Sequence, residues 1–473
     1  MENNIVAANA RQVDFLFEYE VKNREFDSIC LVAAYLELQG YTTAFVNSWD
    51  SLYHKPMPYR AKVMVISACY NDSVYDYFCG HAYEFDKVVN LQWEQIHTNG
   101  LYNSKERTSW NYEGTVLNVR HICWGEKEIH YLIDRYAFRP EYLFNCGYIP
   151  LDFYRPELRL LSKNKKELYN KYNLSHSKKT LLFISSFSYV GLPKSEEAIA
   201  EKEKIAEIRK IHGDSQKVII DWFSRLLKNH PELQIVYRPH PSEADNEMLH
   251  KLALKNEGFF VIKDESIRNW ILNCDVLYNW ESTSVIEMYA SNKKTCIIRP
   301  IEIPFEEDMP VFAKEKYHAI TTYEELENSL NNDEWSIFPG LNDELLDYYD
   351  IQDIPSFQRV GDLLINTFRD NQYHSRGVTN TIFDNATPKL LERIKENIKK
   401  SALFYILVRA SKFIWMGNKT IKAKFEKILE KDSKEMERHD EYFREKGIQN
   451  RSTEEEIRET IDRYKQVLKT MYY

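Results

Sequence analysis

The segment Tyr237-Arg238-Pro239-His240-Pro241-Ser242-Glu243 sets a guanidinium, an imidazole, a hydroxyl and a carboxylate on one turn. Each proline fixes φ and removes a backbone donor, so neither a helix nor a central strand continues through it. The apolar run Leu233 to Val236 before it reads as a buried strand. The polar groups therefore gather at a strand's carboxyl end, where ligands bind in open α/β sheets. His240 is suited to donate to a phosphate oxygen, more strongly when protonated. Arg238 serves either the ligand or, as scaffold, Glu243 or another acid. A second cluster, Glu281-Ser282-Thr283-Ser284, follows another apolar run and opens a helical pattern. A helix start offers free N–H groups and a positive dipole end to an anion. Ser284 and Glu287 also have capping-box spacing. In this reading Ser284 caps, Ser282 and Thr283 face the ligand, and Glu287 has a second role open to it, accepting from ribose hydroxyls. Ser186, in Ser185-Ser186-Phe187-Ser188, adds a hydroxyl after the first strand of the same half. Together these groups predict a site for a phosphorylated ligand.

The first half carries the candidate bases. Glu25 lies in Lys22-Asn23-Arg24-Glu25-Phe26-Asp27 at a strand-to-helix junction, and Glu94 follows a strand pattern in Asn90-Leu91-Gln92-Trp93-Glu94-Gln95. Either acid suits general-base work on an acceptor hydroxyl, and either also has a plain electrostatic role. GxSxG, HExxH, Walker and GxGxxG patterns are missing, and only 14 glycines argue against a glycine-rich phosphate loop. We expect no metal and no cofactor.

The elements that must position these groups alternate. Strand patterns at Val13–Tyr19, Thr42–Val46, Lys62–Ser67, Lys87–Leu91, Thr115–Asn118 and Phe144–Gly147 are separated by helical stretches, which implies parallel βαβ units. The pattern restarts at Thr180–Ser185 and runs to Thr295–Ile298. The predicted division is a Rossmann-like domain over 1–158, a second over 159–370 and a helical extension over 371–473. A hydrophobic share of 43% supplies two cores, and a net charge of -9 argues against a general nucleic-acid binder. Seven scattered cysteines without zinc spacing suit a reducing compartment. No secretory leader or spanning segment is expected. Residues 389–431 hold twelve Lys/Arg against four Asp/Glu around an apolar centre with Trp415. Two readings stay open there: a helix on an anionic membrane surface, or one packed across the domains.

With those residues in view, the chain resembles bacterial surface-carbohydrate biosynthesis proteins of the GT-B type. The matching segments, in order, are Lys22–Asp27, Trp124-Gly125, Cys146–Asp152, Arg238–Glu243 and Asp275–Glu287. The last two are similar to the HP and S motifs of polysialyltransferases and capsular Kdo transferases, and teichoic-acid glycerophosphotransferases carry a similar pair. The resemblance implies an α/β fold of two Rossmann-like domains facing a cleft, with the C-terminal helical extension. It implies that His240, with Ser282, Thr283 and Ser284 around it, contacts the phosphate of a cytidine nucleotide donor. Arg238, Ser242, Glu243, Glu287 and Ser186 complete the candidate donor-binding set read from the residues, Ser186 with an ordinary surface loop as its alternative. It also implies that an N-terminal carboxylate is the base; Glu94 is similar to that motif, and Glu25 stays the second candidate from the residues themselves.

The expected activity is that of a metal-independent glycosyltransferase using CMP-Kdo or another CMP-nonulosonate. The acceptor would be a lipid-linked or oligosaccharide chain at the inner membrane face, reached through residues 389–431, by a cytoplasmic or peripheral protein. The alternatives are a CDP-polyol phosphotransferase, a non-catalytic nucleotide-binding scaffold, and a GT-B-type epimerase acting on a UDP-linked sugar.

Overall fold

The computed structural model describes residues 11–48, 57–72, 75, 82–95, 112–190, 202–240, 243, 245–303, 318–336, 347–373 and 449–472. The first sheet contains β1 (Arg11–Tyr19), β2 (Thr43–Asn47), β3 (Met57–Ile66), β4 (Ala82–Asn90), β5 (Arg120–Cys123) and β6 (Leu143–Asn145). Their order is β2-β1-β3-β4-β5-β6, and every pairing is parallel. Helices α1 (Lys22–Leu38) and α2 (Glu126–Tyr136) belong to this half. The second half holds α3 (Lys165–Tyr172), β7 (Lys179–Ile184), α4 (Lys202–Asn229), β8 (Leu233–Arg238), α5 (Glu247–Lys255), β9 (Phe259–Val261) and α6 (Ile267–Asn273). It continues through β10 (Val276–Asn279), α7 (Val285–Ala290), β11 (Thr295–Ile297) and α8 (Tyr323–Ser329). This sheet is also parallel, in the order β11-β10-β7-β8-β9. The strand order reverses between β1 and β3 in one sheet and between β7 and β10 in the other. Those are the two crevices where doubly wound sheets take ligands.

Alternation along the strands builds a core on both faces of each sheet. Leu181 and Phe183 of β7, with Tyr237 and Trp280, pack toward α4, while Leu182 and Ile184 pack toward α6 and α7. This two-residue period fixes which groups reach each side.

The chain then returns. Helix α9 (Ser356–Arg369) buries Phe357, Val360 and Leu364 in the first domain's core, beside Ile461 and Leu468 of α10 (Glu454–Tyr472). Both ends of α9 are fastened by first-domain groups. Asp152 accepts from the N–H groups of Ser356 (3.0 Å) and Phe357 (2.7 Å). The buried Lys87 ammonium donates to the carbonyls of Thr367 and Phe368, both at 2.8 Å. A carboxylate at the start and a cation at the end match the helix dipole. The predicted boundary at 370 is therefore corrected: residues 356–369 and 454–472 pack into the first domain's core.

Two of the family-like segments explain how. A Cβ at Gly147, whose φ is +75°, would come under 3.0 Å from Ser356 and the Asp350 backbone. One at Gly125 would equally meet the backbone of Asp347 and Tyr348. Trp124-Gly125 and Cys146–Asp152 thus form the socket that receives the returning chain. Another expectation also fails: 115–118 lies in a 3-10 turn, Gly114–Asn118, and the strand follows at Arg120. Gly114 takes φ +75°, which turns the chain before it can extend.

Candidate donor and acceptor site

On the second sheet the polar ends of three adjacent strands converge. β7 runs between β8 and β10, so Ser186 lies between the His240 turn and the Ser282–Ser284 cluster. The two motifs are thus not on neighbouring strands. They flank β7, roughly 10 Å apart at ordinary strand spacing.

Glu243 organises the first turn. It is 2% exposed. Its oxygens accept from Tyr237 OH (2.8 Å), Gln216 Nε2 (2.7 Å) and His240 N (3.1 Å), and from Ser185 Oγ. Burial raises its pKa, while those donors favour the charged form. With every donor pointing inward, Glu243 is the anchor of the turn rather than a ligand contact. Arg238 is corrected likewise: it donates to the carbonyls of Lys263 (3.0 Å), Asp264 (2.8 Å) and Glu265 (2.6 Å), holding the segment before α6. Burial lowers its pKa to about 10. Ser242 lies outside the described residues. His240 remains half-buried, with burial holding its pKa below the ordinary imidazole value.

The Ser/Thr cluster is built on Asn279. Its side chain accepts from Ser282 N (2.7 Å) and donates to Ser282 O (2.9 Å). Ser282 Oγ then accepts from Ser284 N at 3.3 Å. The expected capping box is not formed: Ser284 makes no side-chain cap. Glu287 is instead buried against Tyr154, whose hydroxyl donates to it at 3.4 Å. Burial pushes the Glu287 carboxyl up to about 7, against the pull of Arg268, the Tyr154 bond and Arg238. Helix α7 has only six residues, so the hydroxyls of Ser282, Thr283 and Ser284 are the larger resource there. Thr283 is exposed, and Ser282 and Ser284 are half-buried.

Sequence reasoning missed two side chains beside this turn. His212 comes from α4, one turn before Gln216, and its ring meets Trp280 edge-on at 4.7 Å. His212 Nδ1 and Trp280 Nε1 are both buried with no hydrogen-bond partner among the described residues. The signal that could have found His212 is its i, i+4 spacing to Gln216 on one helix.

On the first domain, the candidate bases separate. Glu25 is fully buried and accepts from Glu20 N (2.7 Å), Ser67 Oγ (2.9 Å) and two nitrogens of Arg24 (3.0 and 2.7 Å). It ties β1 to β3 at their crevice, and the structure gives it that fastening role instead of a base's. Glu18 lies beside it, with its pKa raised far above the usual range by burial and then by Glu25. Glu94 has a 46% exposed side chain, steadied by Arg24 Nη1 at 2.7 Å. Burial works against the Arg24 charge, but Glu25 and Glu94 hold its pKa above the ordinary value.

The two halves meet at Asp27. It accepts from Arg268 of α6 at 2.8 Å and from Tyr464 of α10 at 2.9 Å. Tyr148, in the connecting segment, feels both Glu287 and Arg24. The strand ends of the two sheets thus face one another. Among the described residues, no group of three or more His, Cys, Asp or Glu side chains is placed to hold a metal ion. No helix of the described residues is long and apolar enough to cross a membrane. Residues 389–431 lie outside the described residues.

No protein-family profile matches the sequence, and no curated protein matches it. Solved structures do. The wall teichoic acid polymerase TagF is similar over 79% of this chain and 94% of its own, at 13% identity, with TM-scores of 0.51 for TagF itself and 0.53 for a single-residue variant of it. A co-structure of MnaA from S. aureus with UDP covers 75% of this chain and 97% of its own at 11% identity, with a TM-score of 0.44. Two parallel α/β sheets meeting at their strand ends, with the chain returning to the first, give this protein a GT-B-like fold.

Proposed function

We propose that the protein is a GT-B-type transferase of bacterial surface-polymer synthesis, taking its activated group from a nucleotide donor. One observation supports this reading: the strand order sets Ser186, His240 and Ser282–Ser284 at the ends of three adjacent strands of the second sheet, while Arg24 and Glu94 pair at the strand ends of the first. The second domain holds the donor phosphate. His240 and the hydroxyls stabilise the charge that develops on the leaving phosphate, the kind of preorganised donor set that lowers a transfer barrier. Glu94 takes the proton from the acceptor hydroxyl, with Arg24 fixing its direction.

Two cytidine donors suit such a site. The HP and S likeness points to CMP-Kdo or another CMP-nonulosonate. A CDP-linked polyol is favoured by the TagF likeness, because one structure of a TagF variant was soaked with CDPG and reaches a TM-score of 0.51. A donor screen by mass spectrometry on purified protein separates them. Consumption of a CMP-sugar supports the first donor and of a CDP-polyol the second, and hydrolysis or transfer of neither contradicts the transferase reading. Residues 389–431 are proposed to bring the enzyme to an anionic membrane carrying the acceptor. Liposome co-sedimentation should weaken when they are deleted, and equal sedimentation contradicts that attachment.

A further inference from the structure

The donor site holds a second imidazole that the transfer mechanism above does not use. His212 projects from α4 toward the ends of β7, β8 and β10. Three aromatic rings confine it edge-on: Trp280 at 4.7 Å, Tyr189 at 5.1 Å and Phe187 at 6.1 Å. Phe187 in turn lies 4.3 Å from Trp280, so the box is continuous. Its Nδ1 is buried and has no hydrogen-bond partner among the described residues. A buried ring nitrogen left in that state calls for an explanation. The ionisable group that acts on His212, among the described residues, is His240. Gln216, one turn further along α4, donates to the Glu243 carboxylate that anchors the His240 turn. The same helix face therefore serves both histidines.

We propose that His212 is a positioning residue of the phosphate site, its Nδ1 accepting a hydrogen bond from the His240 imidazolium when an anionic phosphate occupies the turn, so that the two rings bind one proton as a pair. This inference rests on the donor-site reading. The proton comes from solvent. Without the anion, burial disfavours charge on both rings, and His212 is held near pKa 4. A phosphate beside His240 supplies the counter-charge, and a neutral Nδ1 behind it supplies the acceptor. The other ionisable groups on the surrounding elements are already engaged or peripheral. Glu243 and Tyr237 are bonded to each other, Glu281 is paired with Arg299, and Asp214 is paired with Lys210 and Lys217. Tyr189 offers a phenol only.

The test is calorimetric titration of the full chain with CDP from pH 5.5 to 8.5, in buffers of different ionisation enthalpy. The wild type should take up about one proton near neutral pH, with affinity falling by up to about tenfold per pH unit on the alkaline side. His212→Phe keeps the aromatic box but has no acceptor. It should weaken CDP binding roughly tenfold at pH 7, the worth of one hydrogen bond to a charged group, and move the pH profile toward acid. His212→Asn, which keeps an acceptor near Nδ1, should recover most of both effects. A wild-type profile in His212→Phe overturns the inference and leaves the donor site standing. So does CDP binding to the wild type without proton uptake, a result that needs no variant to fold. Failure of CDP, CMP and UDP to bind the wild type overturns the donor reading and this inference with it.

Discussion

At the end of β1, the buried Glu25 gathers Glu20 N, Ser67 and Arg24; at the end of β8, the buried Glu243 gathers His240 N, Ser185, Tyr237 and Gln216. The fastening is the same in both domains, and what it presents to the cleft is not. Glu25 leaves a guanidinium and the half-exposed Glu94 facing outward, a charged pair suited to moving a proton. Glu243 leaves an imidazole among hydroxyls, a set of donors suited to a phosphate. A buried carboxylate at a strand end is therefore no guide to which acid does chemistry.

Substitutions at the fasteners give the largest expected effects. Glu243→Ala strips four donors of their acceptor in a buried setting and should cost about 3–5 kcal/mol of stability, read from urea unfolding. Glu25→Ala should cost about 2–3 kcal/mol, because Arg24 keeps Glu94 as a partner. Equal, near-zero losses at both positions would break the comparison.

Glu287 sharpens it through pH. Its folded-state pKa of about 7 lies above the ordinary 4.5, so the folded protein holds that proton more tightly than the unfolded chain. Its contribution to stability is thus fully present below about pH 4.5 and declines until about pH 7, by up to about 3 kcal/mol. Glu287→Gln should flatten the stability profile over that window relative to wild type. Parallel profiles would show that Glu287 titrates normally.

The alternation of strands and helices, and most strand positions, were legible because parallel strands buried on both faces read as apolar runs. The return of α9 was not. Its amphipathic pattern states that it buries a face, and nothing in it names Asp152 and Lys87 as the groups at its two ends. In the candidate site, the strand-end positions of His240 and the Ser282–Ser284 cluster were legible, because each follows an apolar strand run. The inward turn of Arg238 and Glu243 was not, because it depends on carbonyls at 263–265 and on Gln216 of α4, which lie elsewhere in the sequence. Asp152→Ala tests the socket: loss of the cap should cost about 1–2 kcal/mol, read from thermal or urea unfolding.

The smallest effect on stability and the largest on turnover should coincide at Glu94. Its pairing with Arg24 is half-exposed, so Glu94→Gln should shift stability by less than about 1 kcal/mol. Transfer to acceptor should be abolished while nucleotide binding persists. Normal transfer would remove Glu94 from the mechanism.

The phosphate site proposed on the second sheet is tested most directly by calorimetric titration of CDP, CMP and UDP into wild type and His240→Ala. Saturable binding of a cytidine nucleotide that is lost in His240→Ala is the predicted result. Equal binding by both proteins, or none by the wild type, would contradict it.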